Sequence, residues 1–151
     1  MIATPIVMGV KANLLPNGIV FETLDHTTGD NPMRYTFLLY SEHKNTRDQT
    51  PEQMQESLKT FGAYIGALKE AGIFVDTDWL QPTETATTIS MVGGKKRIQD
   101  GPFADTKEQL GGYFVIEAPD LDAALLWAEK CPGAYYGKVE VRPSAMPEGQ
   151  K

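Results

Sequence analysis

Cysteine is almost absent from this chain: 151 residues contain one, Cys131. A lone thiol cannot close an internal disulfide, which fits a reducing cytoplasm rather than a secreted, cross-linked scaffold. Histidine is nearly as scarce. His26 and His43 stand alone, without a Cys or His partner at ligand spacing, so no metal site is expected. No apolar run approaches the ~20 residues needed to cross a bilayer. Met1 to Leu15 has no basic segment ahead of a sustained apolar core, which argues against a signal peptide and a membrane role. Positive charge is also in deficit, with 14 Lys and Arg against 20 Asp and Glu, a net charge of −6. Nucleic-acid binding depends largely on neutralising phosphates, so a nucleic-acid partner is not expected. The one basic cluster, Lys95, Lys96 and Arg97, follows Gly93-Gly94 and reads as the solvated turn of a hairpin.

What is present is the composition of a folded domain, 41% hydrophobic and 23% charged, with enough apolar surface to offset chain entropy. Its length suits one core better than two. Residues 1–32 read as an N-terminal extension: Asn17-Gly18 between Leu14-Leu15 and Ile19-Val20-Phe21 suggests a hairpin, followed by a turn-rich linker. Residues 33–143 form the main domain, and 144–151 a polar tail.

Within the main domain, Arg34 to Tyr40 reads as a strand with Tyr35, Phe37 and Leu39 on one face and Leu38 and Tyr40 on the other. A helix follows, with Thr50 as N-cap, Pro51 in the first turn, Gln53 completing a capping box and Gly72 as the stop. Met54, Leu58, Phe61, Ile65 and Leu68 form its apolar stripe. Ile73 to Leu80 is extended. Thr85 to Val92 and Lys96 to Gln99 make a hairpin around Gly93-Gly94, and Gly111 to Ala118 is a further strand. Asp120 caps a second helix whose buried stripe is read as Leu121, Ala124, Leu125 and Ala128, with Pro132 ending it. Lys138 to Arg142 is the last strand.

This order, β-α-β-β-α-β with a hairpin arm in the middle, predicts an α+β fold: a ferredoxin-like antiparallel sheet with two helices on one face. Two strands carry bulky apolar residues on both faces, so the face without helices needs a cover. A second copy packed sheet to sheet supplies one, giving a homodimer as the expected partner. The competing cover is the N-terminal hairpin of the same chain.

Candidate chemistry gathers at Asp100. Partial burial beside Phe103 would raise its pKa into the range of a general acid or base; the alternative is that it bonds nearby amides and fixes a Gly-Pro turn. Asp105, Lys107 and Glu108 supply charges that would orient a small polar ligand or pair with one another. Tyr35, Phe37 and Tyr113 are read as lining a cavity on the inner sheet face. His43 is a weaker candidate for a proton shuttle. Gly111-Gly112 permits close backbone approach, but nothing here makes a nucleotide-binding fingerprint, and no cofactor is expected.

The run Asp100-Gly101-Pro102-Phe103-Ala104-Asp105-Thr106-Lys107-Glu108-Gln109-Leu110-Gly111-Gly112-Tyr113 resembles the signature of the DGPF branch of the YCII-related domain family. Ala86-Thr87-Thr88, Asp120-Leu121-Asp122 with Trp127, and Val139-Glu140-Val141-Arg142-Pro143 agree with it. The resemblance spans Met33 to Pro143 and implies a dimeric α+β barrel. It also implies two function classes: an enzyme acting on a small organic molecule, or a binding or protein-interaction module in a setting associated with sigma factors. The family's helix histidine is missing from Thr50 to Lys59, which weakens the enzyme reading.

Overall fold

The computed structural model describes residues 10–14, 20–24, 32–42 and 49–145. It divides the chain into two units, Met1–Asn31 and Pro32–Lys151. In the first, β1 (Val10–Leu14) and β2 (Val20–Leu24) pair antiparallel, from Val10 opposite Leu24 to Leu14 opposite Val20. The Asn17-Gly18 turn expected between them lies outside the described residues.

The second unit runs β3 (Met33–Glu42), α1 (Pro51–Glu70), β4 (Phe74–Trp79), β5 (Thr87–Val92), β6 (Lys95–Asp100), β7 (Glu108–Ala118), α2 (Leu121–Ala128) and β8 (Lys138–Pro143). Four strands form one antiparallel sheet in the order β4-β7-β3-β8. With a helix after the first and third of these strands, that is the ferredoxin-like arrangement. Strands β5 and β6 form a separate ladder inserted between β4 and β7. The ladder of the main sheet extends to Ser144, whose amide donates to the Arg34 carbonyl at 2.7 Å.

Local chemistry sets the ends of these elements. The Thr50 hydroxyl accepts from the Gln53 amide at 3.3 Å, and the Gln53 side chain accepts from the Thr50 amide at 2.8 Å. Asp120 accepts from the Ala123 amide at 2.8 Å and starts α2. Gly93 and Gly94 both take positive φ, as a two-residue hairpin turn requires.

Alternation places Tyr35, Phe37, Phe114, Ile116 and Ala118 on the face covered by the helices, where they pack with Tyr64, Leu68, Ala124, Ala128 and Cys131. Two expectations need correction. Tyr64, between the anticipated stripe positions, is buried, with its hydroxyl donating to the Trp127 carbonyl at 2.9 Å. On α2 only Ala124 and Ala128 are buried, while Leu121 and Leu125 are nearly half exposed. Two small residues let α2 lie close to the sheet, and the larger ones turn outward.

The other sheet face carries Leu38 opposite Tyr113 and Thr36 opposite Val115, with Tyr40 opposite Leu110. Asp76 and Asp78 border it on β4, and Lys138, Glu140 and Arg142 border it on β8. An apolar centre thus sits within a charged rim.

Candidate functional site

The segment that stands out in the sequence folds onto the surface. Asp100 ends β6 opposite Thr87 and is exposed, not partly buried as expected. Its turn is held by backbone and by a neighbour: the Gly101 amide donates to the Ala86 carbonyl at 2.7 Å, and the Thr88 hydroxyl donates to the Gly101 carbonyl at 2.8 Å. Gly101 takes φ +96°, a conformation that favours glycine. Phe103 is 90% exposed, so it makes no apolar wall beside Asp100.

The following charges disperse. Asp105 is exposed. Lys107 reaches Glu42 at 3.0 Å, and Glu108 pairs with Lys138. Each is an exposed ion pair of the kind that contributes about 0–1 kcal/mol. Tyr35 and Phe37 are 3% and 0% exposed within the core, on the face opposite Tyr113, so the three do not line one surface. The Tyr113 hydroxyl donates to Asp76 at 3.1 Å, a bond that holds the phenol above its usual pKa. His43 lies outside the described residues.

A cavity forms elsewhere, beneath the middle turns of α1, with a volume of about 300 Å³. Strand β3 contributes Leu39, Tyr40 and Ser41; α1 contributes Ser57, Leu58, Phe61, Gly62 and Ile65. Strand β4 supplies Thr77, Asp78 and Trp79, and β7 supplies Gly111 through Phe114. Gln49, Gly133 and Tyr136 complete it. Of the candidate residues read from sequence, Tyr113 alone is among the lining.

The geometry has identifiable causes. Strand β7 bulges at Gly111: Leu39 faces Gly112, but Tyr40 faces Leu110. Gly112 then runs so close to β4 that an added Cβ would stand 2.6 Å from the Asp78 carbonyl oxygen. The close approach foreseen at Gly111-Gly112 therefore serves a neighbouring strand. On the helix, Gly62 has no heavy atom within 4 Å of the position its Cβ would take, so close packing does not require glycine there. Glycine within a helix costs about 1 kcal/mol relative to alanine, and Gly66, outside the cavity lining, has equally open surroundings.

The cavity is mostly apolar, with hydroxyl groups at its edges. Ser41 is only 8% exposed and is the buried polar side chain among the described residues. The Thr77 hydroxyl is already engaged, donating to the Tyr113 carbonyl at 2.7 Å. Burial, with a smaller contribution from Cys131, raises the Tyr136 pKa and keeps its phenol a hydrogen-bond donor. Burial also pushes the Cys131 thiol up to about 11, which makes it a packing group rather than a nucleophile. Asp78 is exposed, and its carboxylate accepts from the Trp79 amide at 2.8 Å. Among the described residues, no group of three or more His, Cys, Asp or Glu is placed to hold a metal ion. Such a site can enclose and orient a compact molecule through apolar contact and a few hydrogen bonds.

A second cavity, about 380 Å³, adjoins the first and shares Ser41, Trp79 and Gly111 with it. Its remaining walls come from Met54, Leu80 to Thr83, Gln109 and Leu110. Sequence reading missed this region because its residues have no motif spacing; the glycine at position 62, inside a strongly capped helix, was the available signal.

The molecule is thus a ferredoxin-like α+β domain with a cavity between its first helix and its sheet. The family model for the YCII-related domain matches residues 33–144, and the chain belongs to that family. An uncharacterized protein of Rhizobium meliloti (strain 1021) is 34% identical over 116 residues, covering 76% of this chain and 94% of that protein. No helix among the described residues is long and apolar enough to cross a membrane.

Proposed function

We propose that this chain is a small-molecule-binding protein of the DGPF branch of its family, acting in the cytoplasm as a two-fold dimer. Its ligand is a compact, largely apolar organic molecule held beneath α1. The observation that carries this reading is the mostly apolar cavity of about 300 Å³ between α1 and the sheet, with Ser41 and Tyr136 among its lining residues. The placement of Asp100 supports binding over the enzyme reading, because the carboxylate named for proton transfer is not among the cavity residues. The Asp100-Gly101-Pro102-Phe103 run supports the branch. The partner is a second copy, since Leu38, Tyr113 and Val115 centre the sheet face turned away from the helices within a charged rim, an arrangement typical of an interface.

The test is a thermal-shift screen of a metabolite set on the wild type and on Gly62→Leu. The variant adds a helix former and sets a large side chain at the cavity wall, so it is expected to melt at or above the wild-type temperature. A ligand that raises the wild-type Tm and leaves that of Gly62→Leu unchanged supports the site. A ligand that stabilises both equally places binding elsewhere.

A further inference from the structure

We infer that the β5–β6 arm docks on a second copy of this chain, laying its apolar face on that copy's sheet rim and its basic tip beside that copy's Asp76 and Asp78. The inference rests on the two-copy reading above and assigns the arm its place in it.

The arm is a two-stranded ladder, a structure that is marginal in water without further packing. Ile89 lies directly opposite Ile98 and Met91 opposite Lys96, so Ile89, Met91 and Ile98 share one face with Lys96 at its tip end and Thr87 and Asp100 at its base. Ile89, Met91 and Ile98 are 62%, 65% and 59% exposed, so their own chain leaves them uncovered. The opposite face presents Thr88, Ser90, Arg97, Gln99 and Lys95, with Val92 its one large apolar residue. An amphipathic hairpin with its apolar side bare calls for a partner surface.

Charge identifies the partner. The chain carries a net charge of −6, so two copies repel at long range unless an opposed pair of patches meets. Lys95, Lys96 and Arg97 at the arm tip are three consecutive cations. Asp76 and Asp78 are exposed anions on β4, a strand at the edge of the main sheet and on the border of its face away from the helices. A two-fold axis repeats any contact, so each arm meets the other copy's acidic border. Complementary patches of this kind set register and speed association.

The experiment measures the dimer dissociation constant of the full chain by sedimentation over a wide concentration range. The double variant Ile89→Ser with Met91→Ser changes exposed residues only and is expected to weaken the dimer about a hundredfold. The triple variant Lys95→Glu, Lys96→Glu, Arg97→Glu is expected to weaken it about tenfold, as is the double variant Asp76→Lys with Asp78→Lys. Mixing the two charge-reversed proteins restores tight pairing, because both contacts of the mixed dimer are again opposite in sign; misfolding does not produce that recovery, and a general charge effect would tighten rather than weaken the less acidic Asp76→Lys, Asp78→Lys protein on its own. A wild-type dimer whose affinity is unchanged by the arm variants overturns the arm inference and leaves the dimer standing. A wild type that stays monomeric throughout overturns both.

Discussion

The two halves of α1 carry apolar residues at the same helical spacing but meet the sheet differently. Toward its C-terminus, Tyr64 and Leu68 are 6% and 0% exposed, and Tyr64 stands edge-on to Phe114 with ring centres 5.2 Å apart. Toward its N-terminus, Leu58 is 55% exposed, and Phe61 and Gly62 border open space. Phe61 and Phe114 are nearly parallel, but their centres lie 6.3 Å apart. Tyr64 and Leu68 are filled in by packing; Ser57, Leu58, Phe61, Gly62 and Ile65 border a cavity. The difference teaches that periodicity selects the inward face of a helix, while the depth of what lies beneath depends on distant strands.

The sharpest test of this contrast is a pair of truncations. Leu68→Ala is expected to cost about 2–5 kcal/mol, the range for a large-to-small change in a packed core. Leu58→Ala, already half in solvent, is expected to cost under ~1 kcal/mol. Chemical denaturation measures both, and similar losses would mean that the two halves are equally packed.

A pH titration probes the filled half next. Folding raises the Cys131 thiol from 9.0 to about 11, so the folded state holds that proton more tightly than the unfolded chain. Its stabilising contribution is complete below pH 9 and is lost as pH rises through about 11. Tyr64, also raised, chiefly by burial, adds to the loss at the alkaline end. Two pKa units correspond to about 2.7 kcal/mol. Cys131→Ala should flatten the decline between pH 9 and 11 relative to wild type, and an unchanged slope would mean that water reaches the thiol.

A further modest effect concerns the anchor at the N-terminal end of α1. Thr50→Ala removes one side of the capping box and is expected to cost about 1 kcal/mol. It should weaken ligand binding along with stability, because the capped helix carries the cavity roof. Lost stability with unaltered binding would separate the cap from the site.

Much of this architecture is legible from short-range chemistry. Thr50, Pro51 and Gln53 announce the start of α1, and Gly72, with φ +71°, lies just beyond its end. Gly93-Gly94 marks the tip of the arm, and alternation in β7 separates Tyr113 and Val115 from Phe114 and Ile116. The site was far less legible. Asp100 stands beside residues that suggest chemistry, yet an exposed Phe103 offers it no pocket. Tyr64 stood outside the apolar stripe read for α1, yet it is buried with its hydroxyl donating to the Trp127 carbonyl, 63 residues away.

The sequence by itself determined the order of the elements, their caps and turns, and the alternation of faces along each strand. These follow from backbone sterics and from hydrogen bonds between residues a few positions apart. Only the tertiary structure decided that α1 roofs a cavity, that β7 bulges at Gly111, and that the DGPF segment faces outward. Those outcomes depend on how strands far apart in the chain fall into register, because burial belongs to the assembled sheet and not to any residue's neighbours in sequence.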